Sequence, residues 1–147
     1  MALVHVVLFA ALCAPALATV VKFSPCTRIA TDNCEVSEVR ITPCTGSICA
    51  LKAGKEASLS FDFTPNFAAS KLKTVPYYQG HAYSGFGDDN ACLFTTCPSA
   101  PGQKQTMDYV MKIEKKTPKG SHTFQWKVWN EEDESQLCCF ETTIKIR

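Results

Sequence analysis

Nine cysteines punctuate this chain, and their placement limits its fold more than any other feature. One of them, Cys13, falls in an opening stretch that is apolar from Ala2 to Ala18 apart from His5. That stretch carries no acid and ends in Ala16-Leu17-Ala18. A small-x-small ending after a short apolar run reads as a secretory signal peptide over residues 1–18, with a mature domain over 19–147. A membrane anchor fits less well, because the run is short for a span and no stop-transfer charges follow it. Losing Cys13 with the leader leaves Cys26, Cys34, Cys44, Cys49, Cys92, Cys97, Cys138 and Cys139. An even set in an exported chain implies a disulfide framework, and a place outside the cell or in the lysosomal lumen.

Spacing narrows the pairing without completing it. Cys44 and Cys49 bracket one turn and Cys92 and Cys97 another, so local loops are expected there. Cys26 and Cys34 then face Cys138 and Cys139 at the far end of the chain. Adjacent strand residues point to opposite faces, so the last two cysteines should reach different partner regions. A start-to-end bridge closes a loop long enough to stabilise by roughly 4–5 kcal/mol in the chain-entropy model. Zinc is not expected: no C-x-x-C occurs, and His81 and His122 do not flank cysteines at finger spacing.

Beyond the leader the pattern has a period of two. Leu59, Phe61 and Phe63 alternate with Ser58, Ser60 and Asp62; Met107, Tyr109, Met111 and Ile113 alternate with Asp108, Val110 and Lys112. Phe124, Trp126 and Val128 form a third run, and Phe140, Thr142, Ile144 and Ile146 a fourth. The alternation slips once between Val36 and Ile41, which predicts a bulge. Turn signals such as Pro43 to Gly46, Thr64-Pro65-Asn66 and Pro118-Lys119-Gly120 separate the runs. Six to eight short strands and no helix predict a single all-β domain, a sandwich or a barrel. The inward faces are rich in aromatic residues and methionine. Such residues fill ordinary cores and also line adaptable apolar pockets, and spacing does not choose between the two.

Charge and motifs exclude several functions. Lysine and arginine number 15 against 14 acids, a net charge of +1, so no nucleic-acid partner is expected. Lys112, Lys115, Lys116 and Lys119 surround one loop, and Glu131 to Glu134 form another charged run. These read as solvated turns, with the lysines also suited to anionic lipid head groups or a partner protein. No G-x-S-x-G, H-E-x-x-H, P-loop or G-x-G-x-x-G occurs, and Asp88-Asp89-Asn90 lacks the glutamate a calcium loop needs. His81 and His122 read as surface histidines, and bridged cysteines leave no thiolate nucleophile. No enzyme and no cofactor are expected.

The flanks of the cysteines carry a resemblance. Val21-Lys22-Phe23-Ser24-Pro25-Cys26 comes first, then Val39-Arg40-Ile41-Thr42-Pro43-Cys44, then Cys49 with Leu51 to Lys55. Asn90-Ala91-Cys92 through Cys97-Pro98 and Leu137-Cys138-Cys139-Phe140-Glu141 complete it. In order and separation these segments resemble the ML (lipid-recognition) domain family, in its soluble Niemann–Pick type C protein 2-like branch. The group-two mite allergens share that fold family. The resemblance implies an immunoglobulin-like β-sandwich of two antiparallel sheets with an apolar ligand cavity between them. It implies bridges Cys26–Cys139, Cys44–Cys49 and Cys92–Cys97, which leaves Cys34 and Cys138 as an extra pair. It also implies a cavity lined by Phe61, Phe63, Tyr109, Met111, Ile113, Phe124, Trp126 and Phe140. Ile113 matches an apolar residue at the tunnel mouth, and Thr117 stands where the sterol carrier has a tyrosine. His81 to Gly87 replaces the family's proline-rich segment, so Tyr83 or Phe86 takes the place of its aromatic gate.

The expected function is therefore carriage of one small apolar lipid, a sterol or a fatty acid, with transient contact to a membrane or a lipid-transfer partner. Two alternatives stay open: recognition of a microbial glycolipid, and an interaction domain with a filled core.

Overall fold

The structure is a computed structural model that describes residues 18–27, 33–83 and 87–147. The leader up to Leu17 and the candidate gate residue Phe86 lie outside the described residues. The strands are β1 (Thr19–Val20), β2 (Phe23–Pro25), β3 (Cys34–Thr42), β4 (Cys49–Leu51) and β5 (Glu56–Pro65). They continue with β6 (Leu72–Tyr78), β7 (His81–Ala82), β8 (Gln105–Lys112), β9 (Gly120–Asn130) and β10 (Asp133–Ile146). A single 3-10 turn, Ala91–Leu93, is the one helical element among the described residues.

Alternating side chains sort these strands into two facing layers. One sheet runs β1-β3-β5-β8; the other runs β2-β10-β9-β6-β7, with β4 added on β10. Along β5 the odd positions from Ala57 to Phe63 are buried and the even ones face outward, as a strand covered on one side requires. β8, β9 and β10 repeat the pattern. All pairings among the described strands are antiparallel except β4, which runs parallel to β10 with Ile144 opposite Cys49. The predicted slip is a bulge between Val36 and Glu38, where Ser37 has no partner on β5. β10 is the longest strand, at 14 residues, and it reaches back to Asp133. The acidic run that reads as one loop is thus split between a turn and a strand.

Strand β6 is the element that alternation alone does not find, because Pro76 interrupts it. Proline removes a ladder donor. Here the Thr74 N–H donates to Asp89 O at 2.9 Å and Pro76 O accepts from Tyr83 N–H at 2.8 Å, both on the side away from β9. The missing N–H of Pro76 falls on that same side, so no bond to β9 is lost.

Four disulfides tie the chain: Cys26–Cys139, Cys34–Cys138, Cys44–Cys49 and Cys92–Cys97. Cys138 points inward and joins Cys34 of the opposite sheet, while its neighbour Cys139 points outward to Cys26 beside β2. One bridge therefore crosses between the layers and the other stays within one. The crossing bridge marks one end of the sandwich, where Cys34 lies opposite Pro65 and Cys138 opposite Val128. The other end holds Met111, Ile113, Tyr78 and His122.

Candidate functional site at the seam between the sheets

The interior is a chain of aromatic contacts between the layers. Phe61 sits at its centre with no exposure, its ring 4.9 Å from Phe140 and 5.7 Å from Phe63. Phe61 also meets Trp126 edge-on at 6.4 Å, and Tyr109 meets Trp126 at 5.2 Å. These edge-to-face pairs add to ordinary area burial. The Trp126 indole N–H donates to Thr74 Oγ1 at 2.8 Å, and the Thr74 hydroxyl donates to Lys127 O at 3.0 Å. The one polar atom of the indole is thereby satisfied inside an apolar layer.

The structure brings together eight of the ten residues that the sequence nominates. Phe61, Phe63, Tyr109, Met111, Ile113, Phe124, Trp126 and Phe140 are all buried between the sheets. Tyr83 is half-buried just after β7, its ring 6.1 Å from Phe124 and perpendicular to it. Phe86 lies outside the described residues. Phe61, Phe63 and Phe140 form the deep part, whereas Ile113, Phe124 and Tyr83 lie toward the end away from the crossing bridge.

Polar groups at that end make a set of clasps. The Tyr83 hydroxyl and Thr117 Oγ1 are 3.0 Å apart. His122 is buried, not a surface residue as its type first suggests. Its Nε2 lies 2.8 Å from Pro118 O and its Nδ1 3.0 Å from the Tyr78 hydroxyl. A carbonyl only accepts, so Nε2 carries a proton, and in the neutral ring Nδ1 is then the acceptor for the Tyr78 hydroxyl. His122 shares the inward phase of Phe124 and Trp126 on β9, and that alternation is the signal that places it indoors.

Between β6 and β8 a groove of about 360 Å³ opens, bounded by Thr74, Pro76, Tyr83, Asp88, Asp89 and Tyr109. It reaches Tyr109, an inner-face residue that packs on Trp126. Gly87 is needed at its wall: its φ is +109°, and a Cβ there would come within 3.0 Å of the Tyr109 hydroxyl. Burial, and then the charge of Asp88, push the Tyr109 phenol above its usual range, so it stays protonated. A larger depression of about 540 Å³ lies on the six-stranded sheet, with Lys22, Ser47, Thr123 and Glu141 in its wall. No residue of the four-stranded sheet lines it, so it does not lead between the layers. Among the described residues no three His, Cys, Asp or Glu side chains gather as a metal site.

The groove residues Thr74, Pro76, Asp88 and Asp89 were not nominated by the sequence. Pro76 conceals β6, and the two aspartates read as an isolated turn until β6 is in place beside them.

Residues 20–146 match the family model for the ML domain. The chain is 47% identical over 150 residues to the MD-2-related lipid-recognition protein of Manduca sexta, an alignment that covers all of this chain and 99% of that protein. It is 27% identical over 119 residues to the mite group 2 allergen Eur m 2 of Euroglyphus maynei, covering 78% and 82% of the two chains. Among solved structures, a Niemann-Pick type C2 protein from the Japanese carpenter ant superposes with a TM-score of 0.72 at 20% identity. That match covers 86% of this chain and 99% of the ant protein, and at such identity it speaks to the fold alone.

Proposed function

The chain belongs to the ML-domain family, a family of lipid-recognition proteins, and from that premise we propose that it binds one sterol, fatty acid or similar apolar lipid between its two sheets and carries it through water. The observation that carries this reading is the groove at the β6–β8 seam. It leads from solvent to Tyr109, an inner-face residue of the four-stranded sheet whose ring packs on Trp126 of the opposite sheet.

Burying apolar ligand surface contributes roughly 25 cal/mol per Å², before the cost of association is subtracted. A long chain or a sterol therefore has ample drive to leave water for this interior. The lipid slides between the layers through this groove, beside the hydrogen-bonded clasps. Tyr83 and Tyr109 meet it first, Phe124, Met111 and Ile113 line its path, and the Phe61–Trp126–Phe140 cluster forms its floor. The protein acts by binding and release, not by catalysis. With residues 1–18 removed, the domain works in an oxidising space outside the cell or in a lumen, and its four disulfides fit such a space.

Transfer brings the open end to a membrane or to a partner protein. Of the nearby lysines, Lys116 is strongly exposed and lies 3.2 Å from Glu114. Reversing charge at Lys115 and Lys116 should slow transfer to anionic vesicles, and an unchanged rate would remove the lysines from the mechanism.

Native mass spectrometry of the secreted protein, with solvent extraction of whatever co-purifies, tests the main reading. One lipid per chain is expected. A bare mass together with no uptake from a lipid panel would mean that the aromatic interior is simply core. A second reading is recognition of a microbial glycolipid; the name of the 47% identical relative says lipid recognition without saying which lipid. Preference for a multi-acyl lipid over single chains in the same experiment would select it.

A further inference from the structure

The rim of the groove is acidic, and we propose that it selects a neutral lipid bearing a hydroxyl and disfavours free carboxylate and phosphate head groups. The inference rests on the carrier reading above and narrows its ligand.

Asp88 and Asp89 both line the groove and both are exposed. Their charges are not equally answered. Asp89 pairs with Lys73 Nζ at 3.2 Å, and the same ammonium lies 3.9 Å from Glu131. Among the described residues Asp88 Oδ1 accepts only the backbone N–H of Asn90, at 2.8 Å. A neutral amide fixes the carboxylate in place without cancelling its charge. No lysine or arginine lines the groove among the described residues. Of the nearest basic loop, Lys115 lays its side chain against Gly54 and Lys116 pairs with Glu114.

An anionic head group entering here would give up water and meet the field of Asp88, both of which count against it. A hydroxyl loses no charge solvation and donates to the carboxylate. Tyr109 at the inner wall keeps its proton, so the wall adds no second negative charge. A sterol and a long-chain alcohol share this chemistry.

The test is displacement of Nile red from the intact disulfide-bonded protein at neutral pH by hexadecanol, hexadecanoate and cholesterol. Hexadecanol and hexadecanoate have the same chain length and differ in head group, whereas cholesterol carries the hydroxyl on a rigid body. Hexadecanol should displace the dye at about a tenfold lower concentration than hexadecanoate. Asp88→Asn keeps the oxygen that accepts from Asn90 and should bring the two to within about threefold, since one unit charge is removed. Asp133→Asn, an exposed acid at the start of β10, should leave the ratio where it is. Displacement by one of the two neutral lipids and not by hexadecanoate supports the inference and identifies which body carries the hydroxyl. Hexadecanoate binding as tightly as both neutral lipids, or a ratio that Asp88→Asn does not move, overturns it. Failure of all three lipids to displace the dye overturns the carrier reading instead.

Discussion

The two ends of the sandwich are closed by different chemistry. At one end Cys34–Cys138 joins the layers covalently, and Cys26–Cys139 anchors the end of β2 to the next residue of β10. At the other, Cys44–Cys49 ties the end of β3 to β4, but on the β6–β8 side of that end Tyr83 meets Thr117, and His122 meets Pro118 and Tyr78, through hydrogen bonds alone. A disulfide does not open on the timescale of binding, whereas a hydrogen bond near solvent exchanges readily with water. If the sheets part to admit a lipid, they hinge about the disulfides on the β3 side and open at the hydrogen-bonded edge between β6 and β8. The groove between β6 and β8 is on the side of the sandwich away from β3 and its bridge to β10.

Breaking the covalent end should produce the largest effect. The Cys34–Cys138 bridge closes a sequence separation of 104 residues. Because Cys26–Cys139 stays closed, Cys34→Ser with Cys138→Ser frees only a ring of about ten residues and should lower stability by about 2.5 kcal/mol in the chain-entropy model, read from urea unfolding without reductant. The rate of lipid uptake by the folded fraction should rise, because the hinge is lost. An unchanged rate would mean that the layers do not part.

A substitution at the hydrogen-bonded end should cost less stability and change kinetics more. His122→Leu removes the partner of Pro118 O and leaves the Tyr78 hydroxyl only its bond from Gln79 Nε2, a loss of about 2 kcal/mol. Hydrogen exchange in residues 113–122 should quicken, while β3 and the start of β10 keep their protection. Uniform loss of protection would erase the contrast between the ends.

The outer face of the four-stranded sheet offers a control that points away from the interior and from the clasps. Arg40 donates to Asp62 Oδ1 at 2.7 Å, Thr106 donates to the same oxygen, and Lys104 lies 3.1 Å from Oδ2. Arg40 first, then Thr106 and Lys104, hold the Asp62 carboxyl well below the usual range despite the opposing effect of burial. The unfolded chain then takes up this proton before the folded one does. The contribution is complete above about pH 4 and is lost as pH falls toward the folded value. Asp62→Asn should remove about 1 kcal/mol at neutral pH and flatten the acid limb of the stability curve, with lipid uptake unaffected. An acid limb of unchanged slope would assign it to other carboxylates.

The smallest change in stability is expected at the outermost clasp. Thr117→Val removes the hydrogen bond to Tyr83 at nearly constant shape and should cost at most about 1 kcal/mol. Stopped-flow uptake of a fluorescent sterol should nonetheless quicken, and a slower rate would make Thr117 part of the way in rather than a latch.

The layers were legible because a sheet covered on one face writes its burial into every second residue. Phe61 and Phe63, Tyr109 and Met111, and Phe124 and Trp126 are all buried, and the slip at Val36 is a real bulge. What was not legible depends on distant neighbours. β6 contains a proline that is harmless only because Asp89 and Tyr83 lie on that side of the strand. His122 was misplaced by residue type when its position beside Phe124 and Trp126 already gave its orientation. The groove combines a strand hidden by Pro76 with aspartates more than ten residues later, and no local pattern joins them.

The central claim is that the lipid sits between the sheets. The chain has two tryptophans, so Trp129→Phe leaves Trp126 as the only indole. Its fluorescence should be titrated with a long-chain alcohol brominated at mid-chain, because bromine quenches an indole only at close contact. Saturable quenching at one lipid per protein is the predicted result. Stoichiometric binding that leaves Trp126 fluorescence unchanged would place the lipid outside the sandwich and contradict the account.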